Sequence, residues 1–120
     1  MSILNGDYSE NTIENGHGGI YITNTQVGVT TQMYIESAVV SHNKASTGSA
    51  IYLNEITLSN DSYIRNTKFS NNESNKLGVV YLWFYGWTLE ISDTNFENNT
   101  GADVILFIST EHNAESSCYT

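Results

Sequence analysis

The chain has no proline, a single cysteine and only four lysines and arginines among its residues. Each scarcity removes a class of protein. One cysteine, Cys118, leaves no internal disulfide and none of the paired Cys spacings of a zinc site, though its place near the end suits an intermolecular bridge as well as a free thiol. Scarce basic residues and a formal charge of −9 repel phosphate backbones and anionic membrane surfaces, which argues against a nucleic-acid partner. No apolar run is long enough to span a bilayer, so no membrane insertion is expected. The opening Met1-Ser2-Ile3-Leu4-Asn5 lacks the basic and hydrophobic regions of a secretory leader. Helical periodicity is also missing, and the acidic residues are scattered instead of forming a run, as on a solvated surface.

What remains is abundant Asn, Ser and Thr with plentiful aromatics, a mix that favours short strands and tight turns over helix or disorder. The chain also repeats itself. Ile3-x-Asn5-x-x-Tyr8-x-x-Asn11 returns as Ile35-x-Ser37-x-x-Val40-x-x-Asn43. It returns again as Ile64-x-Asn66-x-x-Phe69-x-x-Asn72 and Ile91-x-Asp93-x-x-Phe96-x-x-Asn99. Offsets within the unit are constant while the spacing between units shrinks along the chain, the mark of a fixed rung joined by variable loops.

A second block follows each Asn: Ile20-Tyr21-Ile22, Ile51-Tyr52-Leu53, Val80-Tyr81-Leu82 and Ile105-Leu106-Phe107. Strand side chains alternate with period two. With Ile20, Ile51, Val80 and Ile105 inward, every alternate slot is apolar, and Tyr21, Tyr52 and Tyr81 face out. In the first block Ile3, Ile35, Ile64 and Ile91 point in, as do Met33, Ser62 and Leu89 two residues earlier. Tyr8, Val40, Phe69 and Phe96 supply a third inward row, and a further strand is placed around Val27–Val29, Ile56–Leu58 and Phe84. A single rung cannot cover its own apolar side, so equivalent residues are expected to stack with strands pairing in parallel. Asn11, Asn43, Asn72 and Asn99 fall where the chain must turn. Their amides suit a ladder that bonds both the turn and its neighbours. Gly18, Gly19, Gly48 and Gly78 are expected at another corner.

These residues carry a resemblance. The Ile-x-Asn-x-x-Phe-x-x-Asn unit, at Ile64, Asn66, Phe69 and Asn72, is followed by Gly18-Gly19-Ile20-Tyr21 and Ala50-Ile51-Tyr52 type blocks. Together they resemble the repeats of right-handed parallel β-helices, most of all those of polymorphic outer-membrane proteins and related surface adhesins. Ser49 and Val79 depart from the usual second glycine. The resemblance implies an all-β, single-stranded, right-handed parallel β-helix, a solenoid of about four rungs over residues 1–109 with a tail at 110–120. It also implies an extracellular or cell-surface location.

For function, the sequence points to a non-enzymatic structural or adhesive protein without metal or cofactor. The chain opens on a strand and shows no capping element at either end. Solenoids need caps for solubility, and bare strand edges invite pairing. End-to-end stacking of copies into a fibre or sheath is therefore expected. Tyr21, Tyr52, Tyr81, Trp83, Tyr85 and Trp87 form an aromatic stripe suited to lateral contacts or to a glycan. The alternatives are a carbohydrate-binding or polysaccharide-cleaving β-helix and a segment of a longer adhesin. Glu36, Asp61, Glu90, Asp93, His42 and Arg65 are the candidates for acid–base work, since carboxylates on neighbouring rungs fall within the roughly 5–10 Å that glycoside hydrolysis requires. His17, His42 and His112 lie in separate loops and make no metal set. Asn60, Asn72 and Asn98 begin glycosylation sequons.

Overall fold

A computed structural model describes residues 2–13, 16–23, 30–85, 89–101 and 104–109, the final stretch largely as backbone. Met1, Val27–Val29, Trp87, His112, Cys118 and the 110–120 tail lie outside the described residues. Each repeat contributes a run of short strands. The first holds β1 (Ser2–Leu4), β2 (Asp7–Ser9), β3 (Ile20–Thr23) and β4 (Thr30–Thr31). The second holds β5 (Tyr34–Glu36), β6 (Val39–Ser41), β7 (Lys44–Ala45) and β8 (Ile51–Leu58). The third holds β9 (Tyr63–Arg65), β10 (Lys68–Ser70), β11 (Glu73–Ser74) and β12 (Val80–Tyr85). The fourth holds β13 (Glu90–Ser92), β14 (Asn95–Glu97) and β15 (Ile105–Ser109). No helix occurs among the described residues.

The strands assemble into parallel sheets in repeat order: β1-β5-β9-β13, β2-β6-β10-β14, β7-β11 and β3-β8-β12-β15, with β4 against the far half of β8. The fold is thus all-β and parallel. The sheets remain separate and do not close into one continuous solenoid. Register places like on like. Ile3, Ile35, Ile64 and Ile91 are paired in succession. Tyr8, Val40, Phe69 and Phe96 form the second row. Ile20, Ile51, Val80 and Ile105 form the third.

Alternation then separates core from surface. Met33, Ile35, Ile51, Leu53, Ile64, Phe69, Leu82, Leu89 and Ile91 are fully or almost fully buried in one apolar cluster. The Phe69 and Phe96 rings stack at 5.1 Å. Ser62 stands in the inward slot held by Met33 and Leu89, and it is buried because its Oγ accepts the Met33 amide at 3.0 Å.

Two corners per repeat use left-handed backbone. The first is the third position of each unit: Asn5, Ser37, Asn66 and Asp93, with φ of 51°, 54°, 48° and 47°. The second precedes each ladder asparagine: Glu10, His42, Asn71 and Asn98, with φ of 61°, 55°, 54° and 54°. Asn and Asp tolerate this conformation best because their short polar chains bond locally. The expected glycine corner also exists. Gly19 and Gly48 have φ of 67° and 62°, and a Cβ on Gly19 would collide with the backbone carbonyls of Ser49 and Ala50.

One irregularity breaks the alternation. Leu82 pairs with Leu53, but Phe84 pairs with Ile56, so β8 carries one residue more than β12 at this level. Glu55, with φ of 51°, absorbs the surplus and lets Leu53 and Ile56 both face inward although they are three apart.

Candidate functional site

The asparagine row is the most ordered polar feature. Asn11 Nδ2 donates to Asn43 Oδ1 at 2.9 Å, Asn43 Nδ2 to Asn72 Oδ1 at 3.0 Å, and Asn72 Nδ2 to Asn99 Oδ1 at 3.0 Å. Each acceptor oxygen also takes the backbone N–H of the asparagine one repeat earlier. The second amide hydrogen reaches back one repeat, from Asn43 to Tyr8 O, Asn72 to Val40 O and Asn99 to Phe69 O. The side-chain to side-chain bonds are therefore directional: along the row from Asn11 to Asn99, the carboxamide oxygens of Asn43, Asn72 and Asn99 each accept from the asparagine one repeat earlier. Asn43 and Asn72 are buried, each 1 % exposed. A glycan on Asn72 would break these bonds, so of the three sequons only Asn60 and Asn98 present an exposed asparagine.

The aromatic stripe is a stacked column on the outer face of the β3-β8-β12 sheet. Tyr21 and Tyr52 stack at 5.4 Å and Tyr52 and Tyr81 at 4.7 Å, with rings within 9° of parallel. His17 lies on Tyr52 at 3.5 Å and near Tyr21 at 5.6 Å. Exposure falls steeply along the column. Tyr21 is half exposed, Tyr52 is partly covered and Tyr81 is only 6 % exposed. The expectation of a surface-exposed Tyr81 is thus corrected: the residue is buried. It points out of the core as alternation requires, but its sheet continues on both sides and Tyr52 covers one face of the ring. Burial pushes the Tyr52 and Tyr81 hydroxyls above the usual tyrosine range. Trp83 and Tyr85 are half-buried. Trp83 Nε1 and His17 Nδ1 are buried and have no hydrogen-bond partner among the described residues. Trp87 lies outside those residues, so the accessible part of the stripe is Tyr21, Tyr52, Trp83 and Tyr85.

The candidate acid–base residues divide into separate groups. On the β5-β9-β13 face, Arg65 donates twice to the Glu90 carboxylate, at 2.8 and 3.0 Å, and lies 3.9 Å over the Tyr63 ring. Tyr63 Oη reaches Glu36 at 3.5 Å, and Tyr63 and Tyr34 pack at 4.8 Å. Bonds from Arg65 and Ser92 hold Glu90 below the usual glutamate range, while Glu90 raises Arg65. Asp61 accepts from Ser59, from Gln32 at 2.7 Å and from Tyr34 at 3.2 Å, and these bonds, Ser59's first, hold its carboxyl below the usual aspartate range. A glycosidase needs one carboxyl raised enough to stay protonated; Asp61 and Glu90 are both shifted the opposite way. Asp93 and His42 are exposed at left-handed corners. Asp93 lines a shallow groove together with Ala38, Val39, Asn66, Lys68 and Asn95.

Among the described residues no three His, Cys, Asp or Glu side chains gather as a metal site would require, and no helix is long and apolar enough to cross a membrane. The left-handed corners at Glu10 and His42 escape a reading of the sequence because glutamate does not favour that backbone and histidine favours it too weakly to mark a corner alone. Their alignment with Asn71 and Asn98 is the available signal. No family model, no curated protein and no solved structure matches this chain.

Proposed function

We propose that the chain is a right-handed parallel β-helix, one turn per repeat, that acts without catalysis as a structural or adhesive element outside the cell, stacking end to end with other copies into a fibre or sheath. The observation that carries this reading is the state of the outer strands. Among the described residues, β1 and β2 pair on one side only, with β5 and β6, and β13 and β14 pair on one side only, with β9 and β10. Such edges leave rows of backbone donors and acceptors and the partly covered Ile3, Tyr8 and Phe96 side chains available to another chain. The identical in-register rows supply the template, since Ile on Ile and aromatic on aromatic already pack between repeats. Negative-stain microscopy with light scattering across a concentration series tests the reading: fibres or rods growing with concentration are expected, and a strictly monomeric protein would sink it.

A second reading rests on Tyr21, half exposed at the end of the stacked column, with Trp83 and Tyr85 on the same outer sheet face. Flat aromatic faces suit sugar rings, and this reading expects a neutral or acidic polysaccharide to bind wild type and to lose affinity for the Trp83→Ala, Tyr85→Ala chain. The adhesin-segment reading shares the fold and the surface.

A further inference from the structure

The polarity of the asparagine ladder specifies how two copies would meet. Asn11 Oδ1 heads the row and has no donor among the described residues, while Asn11 itself gives its N–H and Nδ2 to Asn43. Asn99 closes the row. It accepts from Asn72 and returns one amide hydrogen to Phe69 O, and among the described residues nothing accepts from its backbone N–H or its other amide hydrogen. One end of the row is thus an open acceptor and the other an open donor pair.

Backbone N–H groups run in both directions between repeats, as in any parallel sheet, so the polarity rests on the asparagine row. At the first corner, N–H groups point forward from Asn5 to Glu36 O, Ser37 to Arg65 O and Asn66 to Ser92 O, which leaves Asp93 N–H aimed past the last repeat. In the second sheet they point back from Val39 to Gly6 O, Lys68 to Ala38 O and Asn95 to Thr67 O, which leaves Asp7 N–H aimed before the first.

We infer that assembly is head-to-tail and in register, with Asn99 of one copy donating to Asn11 Oδ1 of the next, as Asn72 donates to Asn99 within the chain. The partner is a second copy of this chain, and the inference rests on the stacking reading. A head-to-head joint would face two Asn11 oxygens with no donor between them, and a tail-to-tail joint would face two donors. Buried polar groups left unpaired in this way oppose both alternatives. Extending the register carries Ile91 onto Ile3, Phe96 onto Tyr8 and Asn95 onto Asp7 of the next copy, continuing the columns Asp7-Val39-Lys68-Asn95 and Tyr8-Val40-Phe69-Phe96. Among the described residues, no like-charged pair falls directly opposite at this joint.

The Asn95–Asp7 position makes polarity measurable. The Asn95→Asp change sits beside Lys68 within its own chain, so the monomer keeps or gains stability, whereas it faces Asp7 across the joint. The assembly threshold of wild type, Asn95→Asp, Asp7→Lys and the double variant is read by sedimentation velocity on the full chain, with urea unfolding of the monomer as the folding control. Asn95→Asp is expected to raise the threshold about three- to five-fold, as one exposed charge contact would. The double variant sets the introduced ammonium of one copy against the introduced carboxylate of the next and should assemble at or below the wild-type threshold. Thresholds that simply add, with Asp7→Lys giving the same shift in either background, would overturn head-to-tail register while leaving the fibre reading intact. An absence of assembly by wild type would remove the fibre reading and this joint with it.

Discussion

At the scale of single residues, the ladder asparagines hold more than their size implies. The Asn72 side chain takes part in four bonds: its oxygen accepts Asn43 N–H and Asn43 Nδ2, and its amide donates to Val40 O and Asn99 Oδ1. Truncation to alanine leaves the Asn43 backbone N–H buried without its acceptor and takes one bond each from the Asn43 side-chain amide and the Val40 carbonyl. An unsatisfied buried group costs about 1–3 kcal/mol, so Asn72→Ala should lose about 2–5 kcal/mol in urea unfolding of the monomer. Asn72→Asp keeps the shape and the acceptor but loses both donors, and it sets a carboxylate against two oxygens. It should be no milder than alanine at neutral pH. If both variants unfold with the wild-type midpoint, the ladder contributes nothing to stability.

The same scale shows how far the sequence could be read. The ladder was legible because four asparagines recur at one offset from an apolar unit. Corner conformations at Glu10 and His42 were not, since left-handed backbone there is imposed by the strands on either side and not by the residue. Burial of Tyr81 was also hidden. Alternation says which way a side chain points, but its exposure depends on which rows stack beside it. Of the proposed stripe, sequence located the column but not its gradient from exposed Tyr21 to covered Tyr81.

At the scale of elements, three-residue strands such as β9 and β10 cannot hold together alone; pairing on both sides and the apolar row beneath them do so. Phe69 is fully buried between Val40 and Phe96 in register. Phe69→Ala removes a ring from the middle of a stack and should cost about 3–5 kcal/mol, read as a lowered denaturation midpoint. Half-covered Phe96, with one neighbour in the row, should cost less when truncated. Equal losses at the two positions would contradict the assigned burial. Strand registers were legible from the constant offsets, but the β8 bulge was not. Its trace was that Leu53 and Ile56 are three apart where Leu82 and Phe84 are two apart, a mismatch easily taken for loop variation.

Elements are also joined by charge. Lys44–Glu73, Lys68–Glu97 and Arg65–Glu90 each tie one repeat to the next, engaging three of the four basic side chains. Glu90 has its folded-state value depressed chiefly by Arg65. A depressed carboxyl adds stability at pH above the ordinary glutamate value, and this contribution disappears as pH falls through the folded-state value. Glu90→Gln should therefore be less stable than wild type near neutrality, and the gap should narrow as pH falls through and below the ordinary glutamate range. The contact is partly exposed, so the gap is small and best read as a difference between two urea midpoints at each pH. A gap that is constant across that range would mean that Glu90 is not titrating differently in the folded chain.

At the scale of the whole molecule, net charge and end-to-end stacking oppose one another. A formal charge of −9 sits on a body whose extents are 33 × 28 × 23 Å. Stacked copies would bring these charges within one molecular length of each other. Repulsion over that distance is felt where the Debye length is comparable, about 30 Å at 0.01 M salt, and is largely screened at about 8–10 Å near physiological ionic strength. The attractive part of the joint, in-register backbone bonds, the asparagine donor and acceptor and the Ile91–Ile3 and Phe96–Tyr8 contacts, is short-ranged and depends little on screening. The assembly threshold should thus fall as salt is raised from about 0.01 M to about 0.15 M and then flatten, because further screening has little repulsion left to remove. Asp7→Lys should flatten the dependence further by reducing the acidity of the head. Light scattering at fixed protein concentration follows both. A threshold that rises with salt would show that opposite charges draw the copies together, and the apolar and hydrogen-bonded joint would then be the wrong account of what holds the stack.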